Sequence, residues 1–280
     1  MNNMIFHPTI CNIWKTLIKN FLQVTLFFPL CSSLVLSKDA FCENCHSHND
    51  YENNTPLHNA LDRKYKSIEV DIVLDDDVLY VAHHPWLIRK DKLLETLYLN
   101  DLWVEYLGNN KKIYENNNTL ILLVDIKTSG MKTYFALREI LKKYRPMLSK
   151  VIDGSMTIGA ITVVLSGKIP KIEHLQKLQE RYIFLDGRLS NLGKNIGADL
   201  MPLISVNWKD EFNWKGKNKI KKKESNYLRW LVSRVHLENK KIRFWGAPDN
   251  KRAWGTLLLN GVDLINTDKV VELYEFMNDR

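Results

Sequence analysis

Ser67-Ile-Glu-Val-Asp-Ile-Val73 and, further along, Leu122-Leu-Val-Asp-Ile-Lys127 decide how this chain is read. Each sets ionised side chains inside a run that otherwise has the apolar character of a fully buried strand. Buried charge is tolerated when it is paired or holds an ion, so these positions mark a site and not inert core. Residues i and i+2 of a strand face the same way, which puts Glu69 beside Asp71 on one face and Asp125 beside Lys127 on another. That arrangement suits a divalent cation and a phosphate.

Outward from these two strands, apolar runs at 42–46, 67–73, 79–83, 119–126, 160–165, 182–185, 203–206, 242–245 and 263–265 read as strands. Helical patterns lie between them at 56–65, 90–105, 131–144, 171–180, 225–238, 250–259 and 268–277. Asp75-Asp76-Asp77 reads as a turn that folds residues 79–83 back as a hairpin-like extension, leaving eight strands for the main sheet. Alternation of this kind argues for a parallel sheet with crossover helices. The expected fold is an α/β (β/α)8 TIM barrel, with a doubly wound open sheet as the alternative. The barrel is favoured because ionisable residues stand at the ends of several different strands, where that fold builds its sites. No Gly-x-Gly-x-x-Gly follows the first strand and no phosphate-binding Gly-Lys loop occurs, which argues against a nucleotide-cofactor sheet. Neither an internal repeat nor an interdomain linker is visible.

Residues 1–40 read as an address that precedes the barrel domain at 41–280. Lys15 and Lys19 come before an apolar run at 21–36, followed by small and polar residues at Ser37, Lys38, Asp39 and Ala40. The run is shorter than the roughly 20 apolar residues of a spanning helix, and Gln23 and Pro29 interrupt it. A cleavable signal peptide is expected first, a membrane anchor second and a buried N-terminal helix third, so the chain is expected to be secreted or membrane-anchored. Of four cysteines, Cys42 and Cys45 would survive cleavage. Their spacing lacks the strand-to-helix context of a redox motif, which leaves a structural disulfide or two thiols. Sequons at Asn53 and Asn117 fit an exported chain.

A hydrophobic fraction of 45% excludes a disordered chain, and a net charge of +8 favours an anionic partner. Lys215, Lys217, Lys219, Lys221, Lys222 and Lys223 form a basic run after the sixth strand, read either as a docking surface for an anionic membrane or as a solvated loop. Nucleic acid is a poor fit, because no interleaved aromatics or binding module accompany the lysines. Nothing calls for an obligate protein partner.

The chemistry gathers on His46, Glu69, Asp71, His83, Asp125 and Lys127. Imidazole titrates near pH 6.5, so His46 and His83 can divide the roles of base and acid on either side of one phosphate. Carboxylates of Glu69, Asp71 and Asp125 suit a hard cation, Mg²⁺ first and Ca²⁺ second, and Lys127 adds a fixed positive charge. A structural ion-pair network is the bland alternative for these residues. His48 shares the face of His46, where it either contacts substrate or serves a structural hydrogen-bonding role. Asn207 and Trp245, each at a strand end, either line the cleft or serve packing.

In these segments the chain resembles the phospholipase-C-like phosphodiesterase superfamily of glycerophosphodiester phosphodiesterases and sphingomyelinase D-like enzymes. Within it, the chain is most similar to the family named for altered inheritance of mitochondria protein 6. The resemblance spans about residues 44–275. It rests on His46-Ser-His-Asn-Asp-Tyr51, Ser67-Ile-Glu-Val-Asp71, Leu79-Tyr-Val-Ala-His83, Val124-Asp-Ile-Lys-Thr128, Val163-Val-Leu-Ser-Gly167, Asp186-Gly-Arg188, Arg243-Phe-Trp245, Pro248-Asp249 and Asp263-Leu-Ile-Asn-Thr-Asp268. It implies a barrel with one divalent ion on Glu69, Asp71 and Asp125. It also implies His46 and His83 as the acid/base pair of a phosphoric diester hydrolase acting on a phospholipid, lysophospholipid or glycerophosphodiester, ending in hydrolysis or a cyclic phosphate. Two departures bear on substrate: Ser47-His48 stands where glycerophosphodiesterases carry Arg-Gly, and His84-Pro85 where they carry an acidic residue. The alternative from a different class is a catalytically silent barrel that binds phospholipid.

Overall fold

The computed structural model describes residues 40–280, so the expected signal or anchor, with Cys11 and Cys31, lies outside the described residues. Eight parallel strands form the barrel: β1 Cys42–Ser47, β2 Tyr65–Asp75, β3 Leu120–Ile126, β4 Ile161–Gly167, β5 Phe184–Gly187, β6 Leu203–Asn207, β7 Lys241–Trp245 and β8 Ile265–Thr267. They pair in the order β7-β6-β5-β4-β3-β2-β1-β8. A parallel bridge between Arg243 and Leu264 brings β7 to the approach of β8 and closes the ring. The barrel expectation is borne out, and the open doubly wound sheet is excluded.

Strand parity explains why the core has two parts. Along β3, Leu120, Leu122, Val124 and Ile126 point outward into the large apolar layer under the helices, while Ile121 and Leu123 point into the barrel. There they meet Val164, Phe184, Leu203 and Leu264 in a small separate cluster. Asp125 continues that inward row, as a period of two requires. In β2, Ile68, Val70 and Ile72 join the outer layer, which turns Ser67, Glu69 and Asp71 inward. Above the apolar floor, the interior is a polar layer of buried His46, Ser67, Glu69, Ser166, Asp186, Ser205 and Arg243. Barrel interiors are filled by side-chain layers, so a polar layer exists only because its members bond one another.

Val78–Val81 pairs antiparallel with the end of β2, as the turn at Asp75-Asp76-Asp77 implies. Asp76 and Asp77 both have positive φ, 44° and 60°, the two-residue geometry that matches strand twist in a hairpin. Outside the barrel, Lys150–Ile152 pairs with Ser155–Thr157 and with Glu180–Arg181. Strands this short carry no alternation to read, but Asp153-Gly154 is the sequence signal for their hairpin, and both residues adopt positive φ. Helices run shorter than their apolar patterns in places: the expected helix at 56–65 is a single turn, His58–Leu61. Cys42 and Cys45 form a disulfide at the start of β1, with Cα atoms 5.4 Å apart, where the pairing of β1 with β2 shifts register. No helix among the described residues is long and apolar enough to cross a membrane.

Candidate active site

Asp71 and Asp125 lie directly opposite each other in the β2–β3 pairing. With Glu69 they place one oxygen each within 4.8 Å of one another. Asp71 Oδ2 is the hub: it accepts from the Tyr51 hydroxyl at 2.8 Å and lies 2.6 Å from His83 Nδ1 and 3.1 Å from Lys127 Nζ. The same ammonium is 3.1 Å from Asp125 Oδ2. Oδ1 of both aspartates is buried without a hydrogen-bond partner among the described residues. Gly167 makes room for one of them. A Cβ on it would stand 2.0 Å from Asp125 Oδ1, and its φ of +68° disfavours any side chain.

Crowded acids leave their mark on titration. Burial, and then the charges of Asp71 and Glu69 against the opposing pull of Lys127, push Asp125 up to about 6. Burial works against the Lys127 ammonium, but Asp125 and Asp71 outweigh it and hold Lys127 above its ordinary range. The donor set fits a hard divalent cation, since it consists of carboxylate oxygens, two of them buried and unpartnered.

His46 sits one layer deeper and is fully buried. Its Nδ1 is 2.8 Å from Ser67 Oγ, and its Nε2 is 2.9 Å from Glu69 Oε2 and 2.6 Å from Arg243 Nη1. A guanidinium can only donate and a carboxylate only accept, so Arg243 and Glu69 compete for Nε2, while the Ser67 hydroxyl, able to donate or accept, serves Nδ1 in either tautomer. Burial, followed by the charge of Arg243, lowers His46 to about 4, which keeps the ring neutral. Arg243 also pairs with Glu69 Oε2, and it donates from Nε to Ser205 Oγ at 2.9 Å and from Nη1 to Asn266 Oδ1 at 3.2 Å. Burial opposes the Glu69 charge, yet Arg243 and His46 hold its carboxyl well below the usual range.

The structure therefore brings His46, Glu69, Asp71, His83, Asp125 and Lys127 into one connected cluster at the barrel mouth. The other three expected residues stand differently. His48 Nδ1 bonds Asp268 Oδ1 at 2.7 Å just past the end of β8, which is the structural hydrogen-bonding alternative. Asn207 accepts from Lys209 N at 3.2 Å and so caps the short helix Trp208–Glu211. Trp245 ends β7 partly exposed.

Arg243 and Asp186 were not singled out as site residues by the sequence reading, although each is an ionised residue inside an apolar strand, the same signal that selects Glu69 and Asp125. Asp186 is buried, accepts from Ser166 Oγ at 2.7 Å and pairs with Arg188 Nη1 at 2.9 Å, and its Oδ1 is unpartnered among the described residues. Tyr51 escaped notice because nothing local shows that its hydroxyl reaches Asp71. A buried Asp50 carboxylate explains the reach: it accepts from Ser47 Oγ, Leu57 N and Tyr98 OH and folds the loop after β1 over the mouth.

Comparison with known proteins agrees with this geometry. The profile described as the AIM6-like phosphodiesterase domain matches residues 35–186, just over half of the chain. The chain belongs to this family. The AIM6-like chain is 26% identical to the altered inheritance of mitochondria protein 6 homolog of Arthroderma benhamiae, over 80% of its own length and 81% of the relative's. It is also 26% identical to altered inheritance of mitochondria protein 6 of Eremothecium gossypii, over 82% of this chain and 68% of that one. Among solved structures, an Oleispira antarctica phosphodiesterase bound to its product sn-glycerol-3-phosphate superposes with a TM-score of 0.53 at 14% identity, covering 84% of the AIM6-like chain and 96% of the other. A glycerophosphodiester phosphodiesterase from Parabacteroides distasonis gives 0.51 at 14% identity, over 86% and 99%. At such identities the superpositions establish the shared barrel fold.

Proposed function

We propose that this AIM6-like chain is a divalent-cation-dependent phosphoric diester hydrolase that acts on a phospholipid, lysophospholipid or glycerophosphodiester. The observation that carries the reading is the cluster of Glu69, Asp71 and Asp125 within 4.8 Å, with His83 and Lys127 both held on Asp71. Glu69, Asp71 and Asp125 would hold the cation, Mg²⁺ or Ca²⁺, and a cation bound there neutralises phosphate oxygens. Lys127, pinned between two carboxylates, presents a positive charge to the same oxygens.

Cleavage needs one proton taken from the attacking oxygen, of water or of a hydroxyl on the substrate itself, and one given to the leaving oxygen. A neutral imidazole suits the first role, and burial holds His46 neutral; its Nε2 serves as base once released from Arg243 and Glu69. His83 stands at the mouth, and its contact to Asp71 through Nδ1 leaves Nε2 for the leaving group. Water as nucleophile ends in hydrolysis, and an internal hydroxyl ends in a cyclic phosphate. We also assign His48, Asn207 and Trp245 to the substrate side of the mouth, where His48 and Asn207 carry structural bonds as well, to Asp268 and to Lys209 N.

Phosphorus NMR of products from a panel of glycerophosphodiester, lysophospholipid and sphingomyelin, with and without chelator, tests the reading. Cation-dependent release of a phosphomonoester or cyclic phosphate is expected, and an unchanged spectrum across the panel with cation present overturns it. One observation favours a second reading, a barrel that binds phospholipid without turnover: both ring nitrogens of His46 are engaged and the ring is sealed from solvent. Lipid binding that persists in His46→Ala, beside a wild type without turnover, is the outcome that selects it. Export or tethering through the N-terminal segment is part of the proposal, supported by the Cys42–Cys45 disulfide, a bond that persists in oxidising compartments.

A further inference from the structure

Beside the mouth, residues 83–92 form an excursion from the strand that carries Asp71. It leaves at Ala82, whose N–H donates to Asp71 O at 3.2 Å, and it returns at Lys92, whose carbonyl accepts from Val81 N–H at 2.9 Å. Its tip is Pro85-Trp86-Leu87, with Trp86 76% and Leu87 53% exposed, followed by exposed Arg89 and Lys90. An indole and an isobutyl group held out together, with no apolar element among the described residues over them, are an interaction surface. The tip is not loose: Trp86 stacks on His84 at 4.3 Å, and His84 meets the edge of His83 at 4.4 Å. Trp86 is thus two rings from the candidate acid.

Across the mouth, the segment after β6 rises from the diametrically opposite strand. Lys215, Lys217, Lys219, Lys221, Lys222 and Lys223 are all exposed there, and none forms an ion pair with a described residue. The loop is built to hold them. Buried Trp214 donates from Nε1 to Asn218 O at 2.9 Å, and its own carbonyl accepts from Trp208 Nε1 at 3.0 Å. Acidic neighbours are engaged internally: Glu224 accepts from Asn213 N and Trp214 N, Glu211 from Tyr227 OH, and Asp210 from Asn207 Nδ2. Moreover Lys222 and Lys223 open the helix Lys222–His236, the end where a helix disfavours cations, so their placement works against fold stability. An ordered, unpaired basic rim facing an apolar tip across the site complements one surface: anionic headgroups over a hydrocarbon layer.

We propose that the barrel mouth docks on an anionic phospholipid bilayer. Trp86 and Leu87 enter the headgroup boundary on the β2 side, and the lysines of residues 215–223 meet lipid phosphates on the β6 side. This rests on the phosphodiesterase reading for its purpose, because it names the surface that presents the substrate, but it is testable apart from turnover.

The full chain is sedimented with vesicles of phosphatidylcholine, alone or mixed with phosphatidylserine, beside hydrolysis of a soluble short-chain phosphodiester. Binding to the mixed vesicles, weakening as salt rises, is expected. Replacing Trp86 and Leu87 together by Ala should lower the partition coefficient on the order of tenfold per side chain. Replacing Lys215, Lys217 and Lys219 by Gln should lower it about fivefold per lysine. Both variants should retain turnover of the short-chain diester. Brominated lipid should quench wild-type fluorescence more than that of Trp86→Phe, a readout a merely structural residue would not move. A wild type that ignores mixed vesicles, or binding indifferent to the Trp86/Leu87 change, overturns the proposal. Vesicle binding without cleavage of any diester leaves docking standing and overturns the phosphodiesterase reading, while cleavage without vesicle binding does the reverse.

Discussion

His46 and His83 belong to one cluster, yet they live in different media. His46 is 0% exposed, its two nitrogens are engaged by Ser67, Glu69 and Arg243, and burial holds it neutral. The His83 side chain is 42% exposed, with Asp71 as its carboxylate partner and the His84 ring against its own. The difference comes from the strands beneath them. β1 is an inner stave of the barrel, so its inward residue is roofed by the carboxylate layer; His83 follows the return strand of a hairpin, whose end is open to solvent. The imidazole in the first position is braced by the fold, whereas the one in the second stands open to solvent.

The largest effect expected from this contrast is kinetic. His83→Ala should cost about 10²- to 10⁴-fold in diester cleavage, while its unfolding free energy moves by no more than about 0.5 kcal/mol. Steady-state rates beside denaturant titration check the pair. A variant as slow as this but also half unfolded would erase the distinction between the two histidines.

On the buried side the consequence is thermodynamic. Arg243→Ala leaves Glu69 charged and sealed beside His46, and removing one partner of a buried pair costs about 3–5 kcal/mol. Urea unfolding should show the loss whether or not substrate chemistry is assayed. A cost below about 1 kcal/mol would mean that Glu69 reaches water and that the inner layer is not the closed one described.

Between these extremes lies Gly167, which serves Asp125. Gly167→Ala adds a methyl group in contact with Asp125 Oδ1 on a backbone at positive φ, with an expected destabilisation of about 1–2 kcal/mol. Mg²⁺ should stabilise the wild type by about 2.7 kcal/mol at a hundredfold excess over Kd and so raise its melting temperature. Calorimetry should show that rise diminished in Gly167→Ala and absent in Asp125→Asn, while Ser47→Ala, outside the carboxylate set, keeps it.

The smallest effect concerns His48, which sharpens the comparison as a third histidine held for structure. Burial opposes its protonation, but the bond to Asp268 outweighs that and raises it above 6.5. A raised folded value means the contribution is complete below the unfolded pKa near 6.5 and fades as pH climbs through the folded one. Asp268→Asn should therefore cost about 0.5 kcal/mol at pH 5.5 and almost nothing at pH 9. Melting curves at the two pH values check the sign.

Much of this was legible before any coordinate. The barrel followed from alternation of apolar runs and helical patterns, and the carboxylate cluster from charge inside β2 and β3, since strand parity is local and a period of two survives any tertiary arrangement. Arg243 and Asp186 obey the same rule and were readable in principle. Tyr51 was not, because its contact with Asp71 depends on a loop folded by Asp50, and loop paths follow from bonds between residues far apart in sequence.

Sequence alone determined that charged side chains stand inside two buried strands and that Glu69, Asp71 and Asp125 are of a type suited to a hard cation. Only the tertiary structure decided which histidine is sealed and which is open, that Arg243 shares Glu69 with His46, and that an apolar tip and a basic rim stand on opposite sides of the same opening. Inward and outward are properties of a strand. Depth, partnership and opposition are properties of a closed ring of strands, fixed only when β7 meets β8.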